Sequence, residues 1–216
     1  MATPILLLNT KVEMQSALGT PKTITGISKV SEAVVTGTHD FSVGDLILLA
    51  SIGGMTEMND RVVRVKSVST TVSFVAEAID STAFTTYTSG GTATKLTTFV
   101  TFDNATSFNF GEPAPNKLDS TTIHEKISKK EIFGLDSAPE ITMALQSDPM
   151  GATMVALRAA AAAKTYRGFR VTLQSGVVLI MNSYVAGGRG LSGSAGAIAT
   201  ATATLTLASP EQYFAS

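Results

Sequence analysis

Cysteine is absent from the 216-residue sequence, which removes disulfide staples, thiolate nucleophiles and cysteine-based metal sites together. Tryptophan is absent as well and aromatic residues make up only 6%, so a stacking platform for sugars or single-stranded nucleic acid is poorly supplied. Charge is sparse: 15% of residues are Asp, Glu, Lys or Arg, against about 25% in an ordinary soluble domain. Sixteen basic and 17 acidic residues leave a formal net charge of −1, which provides no polycation for gripping phosphates. The two halves are balanced, with 7 basic and 8 acidic groups before Thr98 and 9 of each from there on, so neither is a nucleic-acid tail. Long apolar runs are missing. The strongest, residues 5–8 and 177–181, fall far short of the roughly 18 to 20 needed to span a bilayer, so no membrane partner is expected. The opening residues 1–11 lack a basic leader and read as a strand or an arm.

What is present is a 44% hydrophobic composition with a mean hydropathy of +0.25, enough for a real core in one large or two small domains. Two readings fit that balance: a subunit that hides surface against neighbours, and a monomeric β-domain rich in Thr, Ala and Gly.

From residue 24 to about 97 the chain reads as short strands between turns. Residues 30–36 are β-branched, 46–50 form a compact apolar run broken by Gly53 and Gly54, and 61–69 alternate with one wetter face. A further strand passes through Val72, Phe74 and Ala76, and Ser89-Gly90-Gly91-Thr92 reads as a turn. Beyond residue 98, a β segment opens at Phe99–Phe102 and ends at Phe108 and Phe110. Residues 112–116 read as a loop because Pro113 and Pro115 lack the donor that a ladder needs. In residues 140–146, Ile141, Met143 and Leu145 alternate with polar neighbours, the pattern of an amphipathic strand. Asp148-Pro149 reads as a helix start, with Met150, Met154, Leu157 and Ala161 at helical spacing and Gly168 as the stop, giving a helix over about 149–165. Strands follow over 169–173, 177–185 and 198–207. A glycine-rich loop at 187–196 separates the last two.

No catalytic constellation emerges. His39 and His124 have no sequence-local partner for a metal site or a nucleophile's base, and both read as structural. Gly187-Gly188-Arg189-Gly190 lacks the Lys-Ser/Thr continuation of a phosphate loop and precedes a strand. Asp136 and Glu140 are the nearest carboxylate pair, and isolated surface acids are the commoner case. The expectation is a non-enzymatic chain with no catalytic residue, metal or cofactor.

Two stretches carry a resemblance. Residues 35–45 (VTGTHDFSVGD), 54–61 (GMTEMNDR), 80–82 (DST) and 87–92 (YTSGGT) resemble the small FCCH-like β-module named after a domain of ubiquitin-activating enzymes. In phage virion proteins that module carries no ubiquitin chemistry. The order of residues 118–122 (LDSTT), 132–135 (IFGL), 140–142 (EIT), Asp148-Pro149, the alanine-rich helix and 169–173 (FRVTL) is similar to siphophage tail tube proteins.

The resemblance implies a mainly β fold: a tail-tube-type β-sandwich or barrel with one flanking helix, plus a small all-β inserted module. The expected division is 1–23 as an arm or first strand, 24–97 as the FCCH-like module and 98–216 as the tube domain. It also implies self-assembly into stacked hexameric rings whose lumen conducts phage DNA during ejection, with a tape-measure protein and tail-end proteins as partners. The location implied is the virion tail, assembled in the host bacterial cytoplasm. Under that reading Glu140, Thr142, Ala144, Gln146, Thr200, Thr202 and Thr204 are candidates for the lumen or inner sheet. Gly187, Arg189, Gly190, Gly193, Glu112, Pro113 and Asn116 are candidates for loops between rings. The competing expectation is a virion or cell-surface β-module that binds a receptor or carbohydrate, which predicts a monomer or small oligomer with a ligand cleft.

Overall fold

The computed structural model describes residues 8–187 and 190–215. Of the apolar run 5–8 read as a strand or arm, all but Leu8 lies outside them. The first strand, β1 (Lys11–Leu18), is followed by β2 (Lys22–Thr23), β3 (Gly26–Ile27), β4 (Val34–Thr36), β5 (Leu46–Gly53), β6 (Arg61–Ser69), β7 (Ser73–Ala76) and the 13-residue β8 (Ser89–Thr101). Then come β9 (Ala105–Phe110), β10 (Pro115–Asp119), β11 (Glu131–Asp136), β12 (Glu140–Gln146), helix α1 (Ala152–Ala163), β13 (Tyr166–Thr172), β14 (Val178–Gly187), β15 (Thr200–Leu207) and β16 (Gln212–Phe214). All pairings are antiparallel. One sheet runs β3-β4-β7-β6-β5-β8-β1-β13-β14-β15-β12-β9, with β2 added on β8 and β16 on β14, while β10 and β11 pair only with each other. The expected mainly β fold with one flanking helix is what the chain adopts.

β14 makes the sheet fold on itself. Its first part pairs with β13 from Val178↔Thr172 to Tyr184↔Tyr166, and its last part pairs with β15 from Ser183↔Leu207 to Gly187↔Ala203. The half-sheet β1-β13-β14 therefore faces the half-sheet β15-β12-β9 across one core. Val12, Met14, Phe169, Val171 and Leu179 come from the first half, Ile141, Met143, Leu145, Ala203 and Leu205 from the second, and Met154, Leu157 and Ala160 from α1. Each fully buried Leu or Phe there contributes about 1.5 to 3 kcal/mol. The alternation read from residues 140–146, and the same period-two alternation of Ala and Leu with Thr in 200–207, decides which side faces that core: Ile141, Met143, Leu145, Ala201, Ala203, Leu205 and Leu207 are buried and their neighbours are not.

A second core gathers Ile24, Val35, Phe41, Ile47, Leu49, Met55, Met58, Val63, Phe74 and Ala93 from the stretch between the end of β2 and β8. His39 belongs to it: its ring stacks on Phe41 at 5.0 Å, meets Phe74 edge-on at 5.4 Å, and Nδ1 accepts the Phe41 N–H at 3.2 Å. β8 joins the two cores, pairing with β5 through residues 89–95 and with β1 through residues 96–101, so residues 97 and 98 sit inside one unbroken strand.

Several local expectations are corrected. Ser89–Thr92 is the start of β8 and not a turn; Gly90 and Gly91 take φ of 71° and 103° within the strand, and a Cβ on Gly91 would crowd Ile52. Asn116 lies in β10, so the loop after β9 is shorter than the prolines suggested: Pro115 opens a strand that needs no donor from it. The helix begins after the Asp-Pro pair. Asp148 accepts the Met150 N–H at 3.1 Å in a turn of its own, and Gly151 is the N-cap. It ends at Lys164, which adopts φ 51°, because only Thr165 separates that residue from β13. Gly168 is inside β13, not at a helix end, and Met150 is exposed. Residues 30–32 form a bend before β4 rather than part of a strand.

Candidate functional site

The sandwich has two outward faces with opposite treatment. On the β1-β13-β14 side, the second core docks. Leu46, Val62 and Leu96 pack on Ile180 and Phe214, Arg64 lies over the Phe214 ring at 4.3 Å, and Asn182 Nδ2 donates to the Asp60 carbonyl at 2.8 Å. Gly168 makes the approach possible, since a Cβ there would overlap Leu96 Cδ2 and touch Val62. Glu13, 4% exposed, holds Arg170 at 2.7 Å and Lys11 at 2.7 Å, and Arg170 lies over Phe99 at 4.5 Å. Burial alone would raise the Glu13 carboxyl. The hydrogen bonds and charges of Arg170 and Lys11 outweigh it and hold the group below its ordinary value.

The β15-β12-β9 side is bare. Its register pairs Glu140 with Thr206, Thr142 with Thr204, Ala144 with Thr202 and Gln146 with Thr200. Thr142 and Ala144 also pair with Asn109 and Ser107 of β9, while Thr204 pairs with Ala186 of β14. All seven sequence-derived candidates, Glu140, Thr142, Ala144, Gln146, Thr200, Thr202 and Thr204, thus stand on one outward face. The four threonines of β15 suit that surface because β-branched side chains pack well on a pleat, and Thr204 meets Thr142 directly across the ladder. The face carries one carboxylate, Glu140, and no Lys or Arg among the described residues of β9, β12 and β15. β9 also ends the sheet, leaving one row of its backbone groups without a ladder partner.

The remaining candidates divide. Glu112 and Pro113 are exposed in the link from β9 to β10; Gly187 closes β14 with φ 89°; Gly190 and Gly193 are exposed beyond it; Arg189 lies outside the described residues. The glycine segment is less free than its composition suggested, because Ser192 and Thr200 exchange backbone hydrogen bonds at 2.9 and 2.8 Å.

Sequence reasoning missed the β10–β11 hairpin. Every residue of β11 is exposed, and Leu118, Ile123, Ile127, Ile132, Phe133 and Leu135 all present apolar surface to solvent. Besides its ladder, ion pairs tie it: Lys117–Glu131 at 3.6 Å, Lys129–Asp119 at 3.7 Å and Lys130–Glu125 at 2.5 Å. Asp119 is held below the usual carboxylate range by the Thr121 hydroxyl and N–H. The signal was available: isoleucines scattered among lysines over residues 123–132 match neither strand nor helix periodicity for a core. His124 is exposed in the hairpin tip. Asp136 and Glu140 are both exposed, at the end of β11 and the start of β12. No group of three or more His, Cys, Asp or Glu is placed to hold a metal among the described residues, and no helix there is long and apolar enough to cross a membrane.

No curated protein matches the chain at a significant level. A family model described as phage tail tube protein matches residues 53–216. That match begins at the last residue of β5, leaves out β1, and takes in β13 and β14 of the docked face, the bare face, the hairpin and the helix; it supports the tail tube resemblance without bearing on the FCCH-like one. A member of such a family is a structural component of a virion tail. The chain belongs to the phage tail tube protein family.

Proposed function

We propose that copies of this chain close into rings, hexameric by the siphophage likeness, that stack into a tube, and that the bare β15-β12-β9 face lines the lumen. The observation that carries the reading is that face itself: a ladder-paired surface of Thr, Ala, Ser, Asn and Gln with Glu140 and no cation among the described residues. A wall over which phage DNA slides must not hold phosphates, and a neutral-to-acidic surface meets that need. The free edge of β9 gives each copy a place to extend a neighbour's sheet, which would remove the exposed edge. The docked second core lies on the opposite outward face, so in such a tube it decorates the exterior, the place expected for an inserted module over residues 24–97.

The segments around Gly187, Arg189, Gly190 and Gly193, and around Glu112, Pro113 and Asn116, then reach between rings, with the β10–β11 hairpin continuing the second of these. Tape-measure and tail-end proteins are the partners in this reading, the bacterial cytoplasm is the place of assembly, and DNA ejection is the function served. Electron microscopy of the purified protein tests it. Rings or tubes are expected, and tubes of a Thr142→Lys, Thr204→Lys variant should retain added DNA that the parent tubes do not. Dispersed particles at every concentration and salt would sink the proposal.

A further inference from the structure

The strand β16 is held more by the second core than by its own sheet. It has three residues and pairs only with β14, from Val178↔Phe214 to Ile180↔Gln212. A short strand near a chain end frays unless something else ties it down. Here the ties come from across the docked face. Phe214 is 3% exposed, and of the four buried side chains clustered with it, Leu46, Val62 and Leu96 come from β5, β6 and β8 while only Ile180 is on β14. Arg64 of β6 covers the Phe214 ring and donates to the Ala215 carbonyl at 3.5 Å. Glu77, just after β7, fixes that guanidinium through two hydrogen bonds of 2.5 and 2.8 Å. Upstream, the Ser209 hydroxyl donates at 3.3 Å to the Asp60 carbonyl, the same oxygen that accepts Asn182 Nδ2, and Asp60 takes the left-handed φ of 59°.

This contact layer is less completely satisfied than a core. Gln15 Nε2, Asn182 Oδ1 and Gln212 Oε1 are buried with no hydrogen-bond partner among the described residues. Gln212 is two residues from Phe214 and so on the same side of β16, which places one of these penalties on the strand itself. Neither neighbouring core depends on the layer: Leu46, Val62, Leu96, Ile180 and Phe214 belong to neither of the two larger clusters. The layer can therefore part while both cores stay packed.

We infer that the second core is a lock on the C-terminal strand: its docking and the seating of β16 on β14 form one two-state element. When the layer parts, β16 leaves, and the β14 edge at residues 178–180 is bared. Linkage makes the coupling reciprocal, so lifting the second core frees the strand and loosening the strand lifts the second core. The lock operates within one copy and does not depend on the tube reading.

Hydrogen exchange on the full chain tests it, read in residues 46–53 and 61–69, in residues 210–215, and in β12 as the reference. Gly168→Val acts at a distance, because the atoms nearest the missing Cβ belong to Leu96 and Val62 and not to β16. It should speed exchange in 210–215 roughly tenfold or more, together with 46–53 and 61–69, and leave β12 at the parent rate. Faster exchange in β5 and β6 with 210–215 at the parent rate overturns the lock, and so does an equal speeding of β12, which would make the chain a single cooperative unit. Two further variants decide the matter if Gly168→Val does not fold. Arg64→Ala should speed 210–215, and Arg64→Lys should not restore it, because an ammonium lacks the planar stack on Phe214. Parent-like exchange in Arg64→Ala counts against the proposal. Phe214→Ala should speed 46–53 and 61–69, and a change confined to 210–215 refutes the reciprocity on which the lock depends.

Discussion

The two outward faces of this sandwich are built from the same sheet yet do opposite things. The β1-β13-β14 face carries a buried carboxylate, an arginine stacked on an aromatic ring and a glycine where a neighbour needs its space; it is covered by the second core, whose Arg64 stacks on Phe214. The β15-β12-β9 face carries threonines paired with Thr, Ala, Gln and Glu and one exposed carboxylate; no described residue covers it. The difference teaches that irregular chemistry marks an interface already satisfied within the chain, whereas a uniform polar ladder marks a surface left open. Substitutions on the first face should therefore be costly to the monomer, and those on the second nearly free.

The largest effect is expected from Gly168→Val. Even a Cβ overlaps Leu96, so the branched side chain must push the second core off β13, at the upper end of overpacking, about 3 kcal/mol. Urea unfolding reads the loss, and hydrogen exchange should show faster exchange in β5 and β6 than in β12. A wild-type midpoint would refute the notch. Next is Arg170→Ala, which leaves Glu13 with Lys11 alone. Losing one partner of a buried pair costs about 3 to 5 kcal/mol, and since Arg170 is one-third exposed and Lys11 remains, about 2 kcal/mol is expected.

That substitution also has a pH signature. Glu13 is held below its ordinary value in the folded state, so its contribution is complete above the unfolded carboxylate value of about 4.3 and is lost as pH falls through the folded value. Thermal melts across this acid window should show a shallower loss of stability in Arg170→Ala than in the parent; parallel curves would mean that the pair does not set the shift. The smallest effect belongs to the bare face: Thr142→Ala with Thr204→Ala should change monomer stability by no more than about 0.5 kcal/mol. A loss of several times that would show the face to be structural and remove the contrast.

Period-two alternation at residues 140–146 and 199–207 was enough to place β12 and β15 and to divide their residues between core and surface. A strand has only two sides, and burying one of them fixes the other. The open seven-residue face was legible for that reason. The helix was legible in its middle but not at its ends, because Asp148 spends its side chain on a turn and Lys164 takes a left-handed conformation imposed by a one-residue link to β13. Gly168 looked like punctuation, and only the arrival of Leu96 and Val62 from distant strands shows that its missing side chain is used for packing.

By itself, then, the sequence determined the strand periods, the sparse and balanced charge, and the polar character of the outward side of β12 and β15. Tertiary structure alone decided which outward face is covered, that β8 carries both cores on one strand, and that the isoleucines of residues 123–132 stay in solvent. Those outcomes depend on contacts between residues far apart in the chain, and local pattern carries no information about which distant surface arrives.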